Sequence, residues 1–170
     1  MARKLRLCGT EPESIVDGKG IRFVVFVQGC PHRCPGCHNP QSHPFEGGRE
    51  ADVGELFEEI RSDPLLKGVT FSGGEPFCQP APLAELAEMV RGLGLDVTTF
   101  TGYLYEDLLA RRDPDVDRLL SLTDTLIDGP FLLAQKDLSL VFRGSRNQRV
   151  IDLNATRLRG GPVLLHPEEE

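Results

Sequence analysis

The sequence predicts an α/β protein with a mostly parallel sheet, arranged as an open sheet or an incomplete (β/α) barrel. Three observations predict it. Short runs rich in Val, Phe, Ile and Thr alternate with stretches whose apolar residues recur at helical spacing. Three of those runs lead straight into distinctive segments: a cysteine loop, a Gly-Gly turn and Thr101-Gly102. The chain has 170 residues, whereas a complete eightfold barrel takes about 250.

The elements follow in order. Ile21 to Val27 is apolar nearly throughout and suits a strand buried on both faces. After the Pro- and Gly-rich cysteine loop, Asp52 and Glu55 resemble a capping box, and Val53, Leu56, Phe57 and Ile60 form one helical stripe. Pro64 and Gly68 punctuate its end. Val69 to Phe71 reads as a short strand running into Ser72-Gly73-Gly74-Glu75-Pro76. A second helix starts near Pro82, buries Leu83, Leu86, Ala87 and Val90, and stops at Gly92 and Gly94. Val97 to Phe100 is the next strand. Helical stretches cover about 103–110 and 114–120, and Thr125 to Ile127 is a strand ending at Asp128-Gly129-Pro130. A last strand is expected near Gln148 to Asp152, and His166 to Glu170 reads as a frayed acidic tail.

The length suits one domain over residues 1–170, with its core at about 15–152. Hydrophobic residues make up 39% and charged residues 26%, which places the chain among soluble globular proteins. No apolar stretch reaches the length of a bilayer span, so no membrane partner is expected. The start is basic but lacks the apolar run of a secretory signal, and a cytoplasmic location follows as the default. The formal net charge of −7 argues against a nucleic-acid partner held by bulk electrostatics. Arg143, Arg146 and Arg149 form at most a local basic patch.

Five cysteines are present, and three of them fall within eight residues, as Cys30-Pro31-His32-Arg33-Cys34-Pro35-Gly36-Cys37. A disulfide framework would spread an even number of cysteines through the chain, so this tight cluster reads as metal ligation. Three thiolates can hold three corners of an iron–sulfur cubane and leave the fourth iron open to an outside ligand. Structural zinc is the alternative, with His32, His38 or His43 completing a Cys3His site. Cys8 and Cys78 stand apart. They read either as distant ligands or as small buried hydrophobes. In a parallel α/β fold the carboxyl ends of the strands carry the ligands, so the cysteine loop, the Gly-Gly turn and Thr101 are expected on one rim. Gly73 and Gly74 let backbone approach a ligand with no Cβ in the way. Asp128 reads either as a group facing the same pocket or as a turn former before Gly129-Pro130.

With C-x3-C-x2-C after the first strand and Gly-Gly-Glu-Pro after the next, the chain resembles the radical S-adenosylmethionine (SAM) superfamily. The segments 14–22 and 25–30, with Cys37-His38-Asn39-Pro40, are similar to glycyl-radical-enzyme activases. Residues 124–131 and 142–152 resemble the activating proteins of anaerobic ribonucleoside-triphosphate reductases. Departures exist. Gly36 stands where many members carry an aromatic residue, Lys19 replaces the proline of the activase turn, and 98–102 lacks the acid that other activases carry on that strand.

The resemblance implies a 4Fe–4S cluster on Cys30, Cys34 and Cys37, with SAM bound at the open iron. One electron from the reduced cluster cleaves the cofactor to methionine and a 5′-deoxyadenosyl radical, which takes hydrogen from a glycine of the partner reductase. The electron donor implied is a flavodoxin or ferredoxin. Candidate SAM contacts are Gly36, Cys37, His38, Gly73, Gly74, Glu75, Thr99, Thr101 and Asp128. Arg143, Asn147 and Arg149 are candidates for the cofactor carboxylate or for the partner.

Overall fold

A computed structural model describes residues 3–32, 34–37 and 40–169. In chain order the elements are β1 Lys4–Ser14, β2 Arg22–Val27, β3 Arg49–Asp52, α1 Val53–Arg61, β4 Gly68–Gly73, α2 Pro80–Arg91, β5 Asp96–Phe100, α3 Tyr105–Ala110, α4 Pro114–Leu122, β6 Thr125–Asp128, β7 Arg149–Asp152, α5 Leu153–Arg159 and β8 Leu164–Leu165. The strands form one sheet in the order β3-β1-β2-β4-β5-β6-β7-β8. The central strands β2, β4, β5 and β6 are parallel, while β1 and β3 at one edge and β7 and β8 at the other are antiparallel to their neighbours. The connection from β1 to β2 covers residues 15–21, too short for the crossover that a parallel pair needs. Parallel pairing is thus confined to the strands joined through α1, α2 and α4.

Strand alternation divides the sheet into two faces. Phe23, Val25, Val27, Val69, Phe71, Val97, Leu126 and Ile151 pack into the core with Leu56 and Ile60 of α1, Leu83, Leu86 and Val90 of α2, and Val116 and Leu119 of α4. The intervening residues, among them Thr70, Ser72, Thr98 and Phe100, face the other way, where long loops cover the sheet in place of helices. Arg22 is 1% exposed at the amino end of β2 and ties one such loop down. It donates to Thr70 Oγ1 (2.8 Å) and to the carbonyls of Val69 and Lys19, and it pairs with Asp96 at 2.5 Å. Thr70 Oγ1 in turn donates to the Asp17 carbonyl, 2.8 Å away. This buried charge is acceptable only because every face of the guanidinium finds an acceptor.

Helix ends follow their sequence signals. Asp52 accepts from the amides of Gly54 and Glu55, and Asp113 from those of Asp115 and Val116, each satisfying donors that the first turn leaves orphaned. Short edge strands β3 and β8 form where none was expected, and three larger features also depart from the sequence reading. β1 forms where only a basic start was expected; Leu5 and Leu7 are buried and alternate with exposed Lys4 and Arg6, a period of two. α5 forms in the stretch that lacks clear periodicity. It is capped by Asp152 and closed by Gly160 in the left-handed region at φ 84°. The acidic tail is held rather than frayed: Pro167–Glu169 makes a 3-10 turn, and Glu168 accepts from Arg143 Nη2 (2.6 Å) and from the Val141 amide (3.0 Å). No helix among the described residues is long and apolar enough to cross a membrane.

Two predictions test this packing. Leu119→Ala, at a fully buried site between helices and sheet, is expected to cost about 2–5 kcal/mol in denaturant unfolding, while Leu158→Ala, at 92% exposure, stays within about 0.5 kcal/mol of the parent. The second concerns acid. Partial burial works to raise the Asp124 pKa, but hydrogen bonds from Asn154, the Val97 amide and Arg91 outweigh it and hold the carboxyl below its ordinary value. A depressed carboxylate contributes stability above its unfolded pKa and loses it as pH falls through the folded one. Asp124→Asn is therefore expected to reduce stability at neutral pH and to flatten the loss of stability below about pH 4, read by thermal melts across pH.

Candidate functional site

The carboxyl ends of β2, β4, β5 and β6 open into a cavity of about 450 Å3, a size in the range of small-molecule sites. Cys30, Cys34 and Cys37 line it, together with His32, His43, Ser72, Gly73, Gly74, Phe100, Thr101, Gly102 and Gly129. The loop side contributes Val16, Asp17, Phe131, Phe142, Arg143 and Gln148. The three cysteines and the Gly-Gly turn, 36 residues apart in sequence from Cys37 to Gly73, thus share one space.

The turn is stitched to the strand beside it. The Gly74 amide donates to the Val27 carbonyl and the Glu75 amide to that of Gly29, both at 2.8 Å. A Cβ on Gly73, which has φ 89°, would stand 2.6 Å from the Val27 nitrogen, and one on Gly74 would run into the Gly29 carbonyl. Side chains at either position would push the turn away from the cysteine loop, so glycine is required there. The loop is held from its other side as well: Gly29 N donates to the Ser42 carbonyl (2.7 Å) and Cys30 N to that of His43 (3.0 Å).

Glu75 is fully buried and its carboxylate accepts four hydrogen bonds. His32 Nε2 and the Gly102 amide approach Oε1 at 2.7 Å each, while Thr101 Oγ1 at 2.8 Å and the Phe77 amide at 3.1 Å serve Oε2. It stands outside the cavity wall, joining the Gly-Gly turn to the cysteine loop and to the exit of β5.

The remaining expected contacts separate by strand face. Thr101 lines the cavity, with its hydroxyl turned to Glu75. Thr99 does not. It is one residue out of phase with Thr98 and Phe100, is fully buried on the helix face, and shares a hydrogen bond with Thr123 Oγ1 at 3.0 Å. Asp128 is likewise fully buried on the helix side of β6, where it accepts from the Tyr105 amide (2.8 Å) and pairs with Arg149, which also reaches Glu106. Those bonds correct both readings of Asp128: it is neither a pocket group nor a simple turn former. Gly36 does not line the cavity; it is exposed, and a Cβ there would meet Leu133 and Phe131. His38 lies outside the described residues. Of the three candidates for an anionic group, Arg143 lines the cavity, Asn147 donates to the Pro130 carbonyl (2.7 Å), and Arg149 is committed to the helix face.

Among the described residues no three His, Cys, Asp or Glu side chains converge on one point that would hold a single metal ion. A cubane asks for something else, since each thiolate binds a different iron, and a soft sulfur donor set arrayed around a cavity fits that need. His32 Nε2 is engaged by Glu75 and is not free to serve as a ligand. Cys78 reaches the surface, but partial enclosure of its thiol, with the Glu75 carboxylate nearby, pushes its pKa up to about 11. A thiol that stays protonated at neutral pH is a poor ligand and a poor nucleophile.

Comparison with known proteins now decides the family. The family described as "4Fe-4S single cluster domain" matches residues 16–151. The anaerobic ribonucleoside-triphosphate reductase-activating protein of Escherichia coli strain K12 is 33% identical over 148 residues, covering 82% of this chain and 93% of its own length. The chain belongs to that family. The protein of the same name from Pasteurella multocida is 36% identical over 146 residues, covering 81% of this chain and 90% of its own. The pyruvate formate-lyase-activating enzyme of Clostridium pasteurianum is 39% identical over 117 residues, 64% of this chain and 49% of that one. A looser likeness, at TM-score 0.45 and 17% identity, joins 58% of the chain to 52% of the crystal structure of QueE from Escherichia coli.

Two predictions follow from the geometry. Asp128→Asn removes the buried carboxylate of a part-buried ion pair and leaves Arg149 with Glu106, so it is expected to cost about 1–3 kcal/mol of stability, while iron loading of the folded protein at low temperature is unchanged. Cys78→Ser is expected to keep full iron and sulfide content, and in the parent the Cys78 thiol reacts with iodoacetamide at pH 7 at least about tenfold more slowly than a free cysteine, read by mass spectrometry.

Proposed function

We propose that this chain activates a glycyl radical enzyme, the anaerobic ribonucleoside-triphosphate reductase, using a 4Fe–4S cluster on Cys30, Cys34 and Cys37 with S-adenosylmethionine bound beside it. The observation that carries the reading is one cavity at the strand exits, lined by all three cysteines and by Gly73 and Gly74, in a chain that matches its named relatives over most of their length. When bound, the cluster and SAM supply reductive cleavage of the cofactor and hydrogen abstraction from a glycine of the partner. The protein's own part is to hold and shield them. The three thiolates retain the cluster. Gly73 and Gly74, on the cavity lining, are read as offering backbone carbonyls to the cofactor's ammonium group. Phe100, Phe131 and Phe142 give the cavity apolar walls that limit water.

The open edges at β3 and β8 support reading the sheet as an incomplete barrel, and the single sheet shared by the described residues supports one domain. A flavodoxin or ferredoxin is the reading for the electron donor, and the cytoplasm for location. Activation of another glycyl radical enzyme is a second reading, favoured by the similarity to the pyruvate formate-lyase-activating enzyme.

The test is anaerobic reconstitution followed by iron and acid-labile sulfide analysis, SAM cleavage under dithionite, and electron paramagnetic resonance of the reductase after mixing. The expected result is about four irons per chain, formation of 5′-deoxyadenosine, and a glycyl radical signal on the reductase. Cys34→Ala is expected to lose cluster and cleavage together. Cleavage without a signal on the reductase, but with one on pyruvate formate-lyase, would give the second reading.

A further inference from the structure

Glu75 faces the cysteine loop through one side chain, His32, which lies between Cys30 and Cys34. His32 Nε2 donates to Glu75 Oε1 at 2.7 Å. The ring is also packed on two other sides. It meets Tyr103 edge to face, with centroids 4.4 Å apart. It also fills the space that a Cβ on Gly102 would need, since that atom would fall 2.5 Å from the ring. Tyr103 is itself covered by the Arg111 guanidinium, 4.1 Å from its centroid. The imidazole is therefore locked in orientation by a carboxylate, an aromatic edge and a bare backbone.

The partners of the shared carboxylate give this contact its meaning. Glu75 follows Gly73 and Gly74 directly and also accepts from Thr101 and Gly102 at the exit of β5. A displacement of the cysteine loop would pull on the Gly-Gly turn and on Thr101, and all three line the same cavity. Side chains that fix the orientation of metal ligands from outside the ligand set are known to tune both affinity and reactivity.

We infer that His32 is a positioning residue: through Glu75 it sets the Cys30–Cys34 loop against the Gly-Gly turn, so that the placement of the cluster and the binding of SAM depend on each other. The inference rests on the proposed reading of the cavity. It assigns His32 no contact with iron and no proton transfer.

The test uses reconstituted His32→Phe, which keeps a ring for Tyr103 but removes the hydrogen bond, and His32→Gln, whose amide keeps a donor. Three quantities are read: iron and sulfide per chain, the SAM concentration that half-converts the resonance spectrum of the reduced cluster, and KM and kcat for SAM cleavage under dithionite. His32→Phe is expected to load iron and sulfide as the parent does. It weakens the SAM-induced spectral change and raises KM about tenfold, or about 1.4 kcal/mol, with kcat within about twofold. His32→Gln recovers most of the affinity. Combining His32→Phe with Glu75→Gln gives an effect no larger than that of the worse single change, because the two act as one unit. A His32→Phe variant that binds SAM like the parent, that fails to load iron, or whose effect adds fully to that of Glu75→Gln overturns the inference. A parent protein whose reduced spectrum does not respond to SAM at all would instead overturn the reading of the cavity.

Discussion

A buried carboxylate with four donors around it is the constraint on which this site depends. Glu75 has no solvent contact, and each of its oxygens is satisfied twice, by groups from the cysteine loop, the exit of β5 and its own turn. Desolvating such a group is tolerable only when all its lone pairs are met, and removing one donor strands the rest. The consequence is geometric. Segments from three strand exits cannot drift independently, because each is tied to the same two oxygen atoms. Glycine at 73, 74 and 102 completes the arrangement by removing the side chains that would hold those segments apart.

Most of the architecture could be read in the sequence because the relevant patterns are local. Apolar runs marked β2, β4, β5 and β6, helical stripes marked α1, α2 and α4, and the cysteine and Gly-Gly segments fell at strand exits, where a parallel sheet places its ligands. What escaped was long-range. Glu75 read as a candidate cofactor contact or as a residue orienting its turn, and nothing in its neighbourhood announces His32, 43 residues away. Thr99 and Asp128 were legible in principle. Strand alternation puts them on the face opposite Phe100 and Ile127, and the burial of Val97 and Leu126 already identifies that face as the helix side. Glu168 could not be foreseen, since its partner Arg143 lies in a loop without periodicity.

Two of the three departures from the resembling activases have physical counterparts in the fold. Lys19 stands where a proline is usual. The loop around it is fixed instead by Arg22, which accepts no competitor because it is 1% exposed and bonded on every side. Gly36 stands where an aromatic side chain is common, and here Leu133 and Phe131 from the long loop between β6 and β7 fill the adjoining space. At Gly36 the contact comes from a distant segment, whereas at Lys19 it comes from Arg22, three residues further on.

The division of the sheet into a helix-packed face and a loop-covered face reaches beyond catalysis. Residues packed in the helix-covered core, such as Phe71 and Leu126, sit on one side of each strand, and residues that line the cavity, such as Ser72 and Phe100, sit on the other. Descendants of such a chain can therefore accumulate changes in what they recognise without repeatedly risking collapse of the scaffold.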